Sequence, residues 1–298
     1  MVRRKTEPDG LSVSTISIDL NLTTSLAILN TASPNHISGW SDVPYADSGG
    51  IRIYYEVIGK GQPLELHHGF TLDHASWSDA SKEWDWAGAL KDDFTLILMD
   101  SRGHGASDKP HDPQEYQGMK QASDVIAVLD DLGLDKAHFL GYSMGGGIGF
   151  VLACYMPQRF HSFVLGGASA EDSDEPNPLI PIFEQGPEAV IALFEGSMNG
   201  PLPSNWRGAL LANDYEALIA CAEFNDRMGL EAILHSVKVP CLIFAGDEDA
   251  SFKGAKRASE LIPNATFIAL HGGHMAPYMP LVLPSVRKFL RRAGQGLK

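Results

Sequence analysis

Apolar residues recur along the chain with two spacings, which predict alternating strands and helices. The stretch "IRIYYEVIG" alternates, is rich in β-branched and aromatic residues, and is typical of a strand in a hairpin. Further strands are predicted in "PLELHHGF", "FTLILMD", "AHFLGYS", "FVLGGA", "VPCLIFAGDED" and "ATFIAL", and the unbroken apolar run of "FTLILMD" favours burial on both faces. Helical spacing is clear in "MKQASDVIAVLDDLG", and helices are also predicted in "MGGGIGFVLACYM", "GAKRASELI" and roughly residues 280–292.

Strands separated by helices favour an α/β fold, with a mostly parallel central sheet and helices on both faces. We predict that residues 41–170 and 236–298 form this core. Residues 171–235 break the alternation, because they contain helical pieces and Pro/Gly-rich links but no convincing strand. They are interpreted as a small helical cap inserted between two core strands. Residues 1–40 show no sustained period and are interpreted as an N-terminal extension, to which the sequence assigns no role.

Composition narrows the class of protein. The chain has 298 residues, of which 44% are hydrophobic, enough for the core of one large domain. Its formal net charge of −14 argues against nucleic acid as a partner, because phosphates would be repelled. No apolar run approaches the length of a membrane span. The three cysteines (Cys154, Cys221 and Cys241) are dispersed and odd in number, which predicts a reducing, cytoplasmic location.

One serine lies where a strand is predicted to end and a helix to begin. "GYSMG" matches G-x-S-x-G from Gly141 to Gly145, and this context places Ser143 on a sharp turn above the strand ends. The alternative is a glycine-rich turn that binds phosphate, but neither G-x-G-x-x-G nor a following lysine is present. A serine hydroxyl is a poor nucleophile unless a base activates it and an acid orients that base.

Candidates for the base and the acid follow the last two predicted strands. "ALHGGHMAP" offers His274, in a loop able to reach the sheet edge, and His271, which ends the strand and is expected to be buried or packed locally. Their H-x-x-H spacing is weak evidence for a metal, since no third ligand lies nearby. "FAGDEDA" offers Asp247, Glu248 and Asp249; the last is favoured because it lies furthest from the strand end, while Asp247 is expected to cap the turn.

Acyl transfer also requires N–H donors for the developing oxyanion. The N–H of Met144, at the start of the helix, is one candidate. Phe70, in the turn after "LELHHG", is the second. His68 is expected to brace this turn by hydrogen bonds, and "MDSRGHGASD" is interpreted as mainly structural, with Arg102 paired to a carboxylate.

Together, "HHGF", "DSRGHGASD", "GYSMGG", "GDEDA" and "GGHM" resemble the α/β-hydrolase superfamily over roughly residues 45–293. The nearest members are capped carboxylesterases and cofactor-free haloperoxidase-like enzymes. The resemblance implies a triad of Ser143, Asp249 and His274, with oxyanion donors at Phe70 and Met144. The long residue 1–40 extension and the doubled histidine at 67–68 depart from the usual family pattern.

The motifs predict a serine hydrolase that cleaves a small-molecule carboxylic ester through an acyl-serine, without cofactor or metal. Alternatives are a lactonase or a carbon–carbon bond hydrolase with the same triad, or a ligand-binding member without catalysis; a homo-oligomer is left open. Apolar side chains are proposed for the substrate pocket: Tyr142, Phe183, Ile191, Phe194, Met198 and Met228.

Overall fold

The computed structural model describes residues 45–78, 84–171, 177–198, 200–223, 228–275 and 279–295. The predicted N-terminal extension, residues 1–40, lies outside them. The described residues form an eight-stranded sheet. Its strands are β1 (Tyr45–Ser48), β2 (Ile51–Gly59), β3 (Gln62–His67), β4 (Phe94–Met99), β5 (Ala137–Tyr142), β6 (Phe160–Gly166), β7 (Cys241–Gly246) and β8 (Ala265–Leu270).

The strand order is β1-β2-β4-β3-β5-β6-β7-β8. The hairpin β1-β2 is antiparallel and adds to β4 in antiparallel register, whereas every later pairing is parallel. Every residue of β4 and β7 is buried, as expected for strands covered on both faces. The predicted mostly parallel sheet is therefore confirmed, and the parallel strands bring their carboxyl ends to one edge.

Helices cover both faces of this sheet. The helices of the described residues are α1 (Trp86–Leu90), α2 (Gly118–Asp131), α3 (Met144–Tyr155), α4 (Ile180–Phe183), α5 (Pro187–Met198), α6 (Ser204–Ala212), α7 (Tyr215–Glu223), α8 (Leu230–Ile233), α9 (Phe252–Leu261) and α10 (Met279–Gln295). One apolar cluster joins the sheet to α2, α3 and α9, and a second joins it to α1 and α10. The prediction of helices on both faces is confirmed.

Helices α4 to α8 lie between β6 and β7, and we call residues 177–233 the helical insertion. None of its described residues forms a strand. A third apolar cluster joins Phe183, Ile191 and Trp206 of the insertion to Leu72, which follows β3. The insertion is therefore packed against the loop at the carboxyl end of a central strand, and its use as a cap stays a prediction.

The loop after β4 is anchored by a buried ion pair. The Arg102 guanidinium donates to both carboxylate oxygens of Asp124, at 2.7 and 2.5 Å, and its third donor group reaches the Glu115 carbonyl at 2.6 Å. Both charged side chains are almost fully buried. Two parallel charge-assisted hydrogen bonds fix this loop rigidly against α2.

We expect Arg102→Met to lower the free energy of unfolding by about 3–5 kcal/mol, because it leaves the Asp124 charge buried and unpaired. Urea denaturation measures this loss. The double variant with Asp124→Leu should be more stable than Arg102→Met alone. Arg52→Met is the matched control. The ion pair between Arg52 and Asp108 is largely exposed, so this variant should change the free energy of unfolding little. Equal losses in Arg52→Met and Arg102→Met would contradict the buried-pair argument.

Candidate active site

Ser143 occupies the turn between β5 and α3. Its backbone φ is +55°, in the left-handed region that non-glycine residues rarely adopt, and its N–H donates to the Gly166 carbonyl at 2.8 Å. Close packing explains the flanking glycines. A methyl group on Gly141 would overlap the Gly145 carbonyl, and one on Gly145 would overlap the backbone of His67. The turn is therefore strained, closely packed and compatible only with small neighbours.

A continuous hydrogen-bonded chain leads from this serine to a carboxylate. His274 Nε2 lies 2.9 Å from Ser143 Oγ, and its Nδ1 lies 2.7 Å from Asp249 Oδ2. Because a carboxylate only accepts hydrogen bonds, the proton of the neutral ring belongs on Nδ1. Nε2 is then free to accept the Ser143 hydroxyl proton.

Asp249 and His274 follow neighbouring parallel strands, β7 and β8, so their loops leave the sheet side by side. Asp249 Oδ1 accepts from the N–H of Ser251 at 2.8 Å and from its hydroxyl at 2.9 Å. Burial alone would raise the pKa of Asp249, but its hydrogen bonds to His274 and Ser251 outweigh burial and lower that pKa. The carboxylate is thereby kept ionised and aimed at the imidazole.

His271 and Asp247, the alternative candidates for the base and the acid, form a separate pair at the surface. His271 Nδ1 lies 3.3 Å from Asp247, whose other oxygen accepts from the Gly272 N–H at 3.0 Å. His271 is therefore packed locally, as expected, but it is not buried, since its side chain is 86% exposed. Donor atoms of Asp247, Glu248 and His271 lie within 4.8 Å of one another, but all three side chains are exposed. His271 is thus grouped with carboxylates rather than with His274.

The two expected oxyanion donors belong to backbone segments that touch. A methyl group added to Gly69, which precedes Phe70, would lie 3.5 Å from Ser143 Cβ, in ordinary van der Waals contact. Met144 is the first residue of α3, where helical N–H groups lack intrahelical acceptors. Neither the Phe70 nor the Met144 N–H donates to any residue in the described part of the chain. Their use as oxyanion donors stays a prediction.

His68 braces the turn that carries Phe70. Its Nε2 accepts from the Ser101 N–H at 3.0 Å, which places the ring proton on Nδ1. Nδ1 then donates to the Gly69 carbonyl at 2.8 Å. Burial lowers the pKa of His68 to about 4, so the ring stays neutral at physiological pH. Its role is structural, as the sequence indicated.

A cavity beside the site is walled mainly by aromatic side chains. It encloses about 460 Å³ of empty space, part of it open to solvent, and four of the five tryptophans of the chain line it. The lining residues are His68, Gly69, Leu72, Ser76, Trp77, Trp84, Trp86, Tyr142, Trp206 and Phe244. This mainly aromatic lining suits an apolar group of a small ligand.

The predicted pocket residues are divided among three places. Tyr142 lines the cavity, and its hydroxyl also donates to the His274 carbonyl at 2.6 Å. Phe183, Ile191, Phe194 and Met198 pack in the apolar cluster of the insertion, next to the cavity. Met228 packs against the core cluster on the sheet and is not in the cavity lining.

Two supporting contacts escaped the sequence analysis. Ser251, which holds Asp249, lies two residues after it, and Asp-x-Ser is a recurrent local turn pattern that could have suggested the contact. Tyr142 holds the loop of His274 across 132 residues, for which no local signal exists. The positions of the cavity tryptophans follow no period, so no local pattern marks them as lining residues.

A serine raised on such a turn, at this edge of such a sheet, characterises the α/β hydrolases. The chain belongs to that family: the family model for the alpha/beta hydrolase fold matches residues 62–214, just over half of the chain.

Among curated relatives, a protein of Pseudomonas savastanoi pv. phaseolicola named as carbamate hydrolase RutD is 28% identical over 225 residues, which cover 65% of this chain and 82% of that protein. The 3-oxoadipate enol-lactonase 2 of Acinetobacter baylyi is 26% identical, over 63% of this chain and 74% of its own. Among solved structures, esterase RhEst1 from Rhodococcus sp. ECU1013 is 25% identical, with a TM-score of 0.72 over 83% of this chain and 97% of that one. This chain is therefore similar to hydrolases of several substrates.

Within the described residues, the helices are too short or too polar to cross a lipid bilayer.

Proposed function

We propose that this chain is a serine hydrolase that cleaves carboxylic esters through an acyl-serine intermediate. The observation that carries the proposal is the hydrogen-bonded chain from Ser143 Oγ through the His274 imidazole to Asp249. A hydroxyl, a base and an orienting carboxylate in this order are what nucleophilic acyl transfer requires. The helical insertion acts as the cap in this proposal and supplies Trp206 to the wall of the aromatic cavity.

The reaction proceeds in two halves. His274 Nε2 takes the proton of Ser143 Oγ as this oxygen attacks the ester carbonyl carbon, and the N–H groups of Phe70 and Met144 hold the resulting oxyanion. Collapse of the tetrahedral intermediate breaks the bond to the alcohol oxygen, which receives the proton from His274. Water then gives a proton to His274 and attacks the acyl-serine, and the second collapse returns the proton to Ser143 and releases the acid.

Hydrolysis of a lactone is the second candidate, because the same steps open a cyclic ester. It is favoured by the similarity to an enol-lactonase. A carbon–carbon bond hydrolase is less consistent with the site, since Tyr142 rather than asparagine precedes the serine. A ligand-binding role without catalysis would not require the strained turn at Ser143 or the aligned His274.

A cytoplasmic location is also proposed, because all three cysteines are free thiols. Burial raises the pKa of Cys241 to about 12, so this thiol is unreactive.

The proposal is tested by covalent labelling and a substrate panel. A fluorophosphonate probe is expected to attach once per chain, and peptide mass spectrometry should place it on Ser143, with no adduct on folded Ser143→Ala. A panel of p-nitrophenyl esters of increasing acyl length, alongside lactones of matched size, then identifies the preferred substrate. Labelling at another residue, or a folded chain that reacts with neither probe nor panel, would refute the serine hydrolase.

A further inference from the structure

Thr71, the residue after Phe70, adopts an unusual backbone conformation. Its φ is +70°, and Thr71 and Ser143 are the two non-glycine residues with positive φ in the described ranges. Positive φ is especially unfavourable for a β-branched residue, so surrounding contacts must hold it in place. Thr71 is fully buried, and it follows one of the two proposed oxyanion donors.

Side chains distant in sequence hold both sides of Thr71. Its N–H donates to His104 Nε2 at 3.1 Å, and its carbonyl accepts from the Asn213 amide at 2.7 Å. His104 belongs to the loop after β4, whereas Asn213 lies between α6 and α7 in the helical insertion. The conformation of Thr71 therefore depends on contacts with both the core and the insertion.

His104 is fixed as a hydrogen-bond acceptor. Its Nδ1 donates to the Arg102 carbonyl at 3.1 Å, which leaves Nε2 to accept from Thr71. Burial keeps the ring neutral, since it lowers the pKa of His104 to about 3. Arg102 is in turn locked to Asp124. The core side of Thr71 is thus held by a rigid loop, and the insertion supplies the remaining contact.

Two hydrogen-bonded peptide units connect the Asn213 side chain to the Phe70 N–H. The Thr71 carbonyl and the Leu72 N–H belong to one peptide unit, and this N–H donates to the Gly69 carbonyl at 3.2 Å. The Gly69 carbonyl belongs to the same peptide unit as the Phe70 N–H. In a trans peptide unit the C=O and N–H point in opposite directions, so holding the Gly69 carbonyl sets the direction of the Phe70 N–H. Successive hydrogen bonds of this kind also polarise one another.

We propose that Asn213 is a positioning residue, which aims the Phe70 N–H at the oxyanion from the helical insertion. This inference rests on the proposed function, because it assigns Phe70 its role in acyl transfer. His68 of the core also holds the Gly69 carbonyl, at 2.8 Å, so the insertion adds a second hold on the same peptide unit. The consequence is that seating of the insertion on the core improves the aim of the Phe70 N–H. Seating is supported beside Asn213, where Asp214 pairs with His111 of the core at 3.0 Å and caps α7 through the Ala217 N–H.

The insertion provides a matched control residue on α6. Asn205 also donates from its side-chain amide to backbone carbonyls of a core loop, those of Ala75 at 2.8 Å and Ser78 at 2.7 Å. Asn205→Ala therefore removes the same kind of contact between insertion and core, but leaves Thr71 held. A merely structural role would make the Asn205 and Asn213 variants equivalent.

We expect Asn213→Ala to reduce kcat for the best p-nitrophenyl ester by about tenfold to a hundredfold, and to change KM by less than about twofold. Complete loss of one oxyanion donor lowers kcat by up to about a thousandfold, and a misaligned donor should cost less. Asn213→Asp keeps the shape but presents no amide donor, and it should show the same loss. Asn205→Ala should retain kcat within about twofold. Urea denaturation compares the stability of the three variants.

An inhibitor pair separates oxyanion stabilisation from substrate binding. A trifluoromethyl ketone forms a hemiketal with Ser143 whose oxygen occupies the oxyanion site, whereas the matching alcohol does not. The inhibition constant of the ketone should rise in Asn213→Ala by the factor lost from kcat/KM, and that of the alcohol should stay constant. Equal losses of kcat in Asn205→Ala and Asn213→Ala would overturn the positioning role, and so would equal increases in the inhibition constants of the ketone and the alcohol. Neither result would contradict hydrolysis that depends on Ser143. Ester hydrolysis that persists in Ser143→Ala would overturn the proposed function itself.

Discussion

Ser143→Ala is expected to reduce ester turnover by about a millionfold while leaving the fold intact. Ser143 Oγ is the atom that receives the acyl group, and no group at this position of the alanine variant can replace it. The backbone strain at this turn is the same for alanine and serine, so stability should change little. Hydrolysis of the best p-nitrophenyl ester, followed at high enzyme concentration, measures the loss.

Ser123→Ala is the matched control for this substitution. Ser123 lies on the exposed side of α2, where its hydroxyl donates to the Met119 carbonyl of the preceding turn. Full activity is expected there. Retention of more than about a hundredth of the wild-type rate in Ser143→Ala would show that another group is the nucleophile.

Replacing Asp249 with asparagine is expected to lower kcat by about ten-thousandfold. The amide carries no negative charge, so it cannot stabilise the imidazolium that forms when His274 takes the serine proton. Its NH₂ group can also force the ring into the tautomer with the proton on Nε2, which no longer accepts from Ser143. Steady-state kinetics should show the loss in kcat rather than in KM.

Asp247→Asn tests whether the correct carboxylate has been chosen. Asp247 lies in the same loop, two residues earlier, but it contacts the exposed His271 and the Gly272 N–H instead of His274. We expect it to retain most of the wild-type kcat. The two histidines should differ in the same way: we expect His274→Gln to lose activity and His271→Gln to keep it. A greater loss at Asp247 or His271 would contradict the assignment.

The regular elements were predictable because each depends on local periodicity. The strand β2 matches its alternating segment residue for residue, and α2 begins one residue before the predicted segment. Its end was predictable at Gly133, whose φ of +64° lets the chain leave the helix. The confirmed mostly parallel sheet followed from strands that alternate with helices.

Candidate site residues could be found where the chain carries a local signature. Gly141 to Gly145 identify a crowded strand-to-helix turn, and acidic and histidine-bearing loops after β7 and β8 were visible as short motifs. The cavity could not be found in this way. Three of its tryptophans come from the connection between β3 and α1 and from α1 itself, and packing of the insertion against the core adds Trp206 of α6.

The sequence by itself determined the fold class and the turn at Ser143, since periodicity and steric crowding act between near neighbours. Only the tertiary structure decided that Asp249 rather than Asp247 reaches His274, and that Tyr142 and Asn213 hold the loops around the serine. Hydrogen bonds depend on distances of about 3 Å and on direction. Such distances between residues 25 to 142 positions apart are set by the packing of whole strands and helices, which no local pattern records.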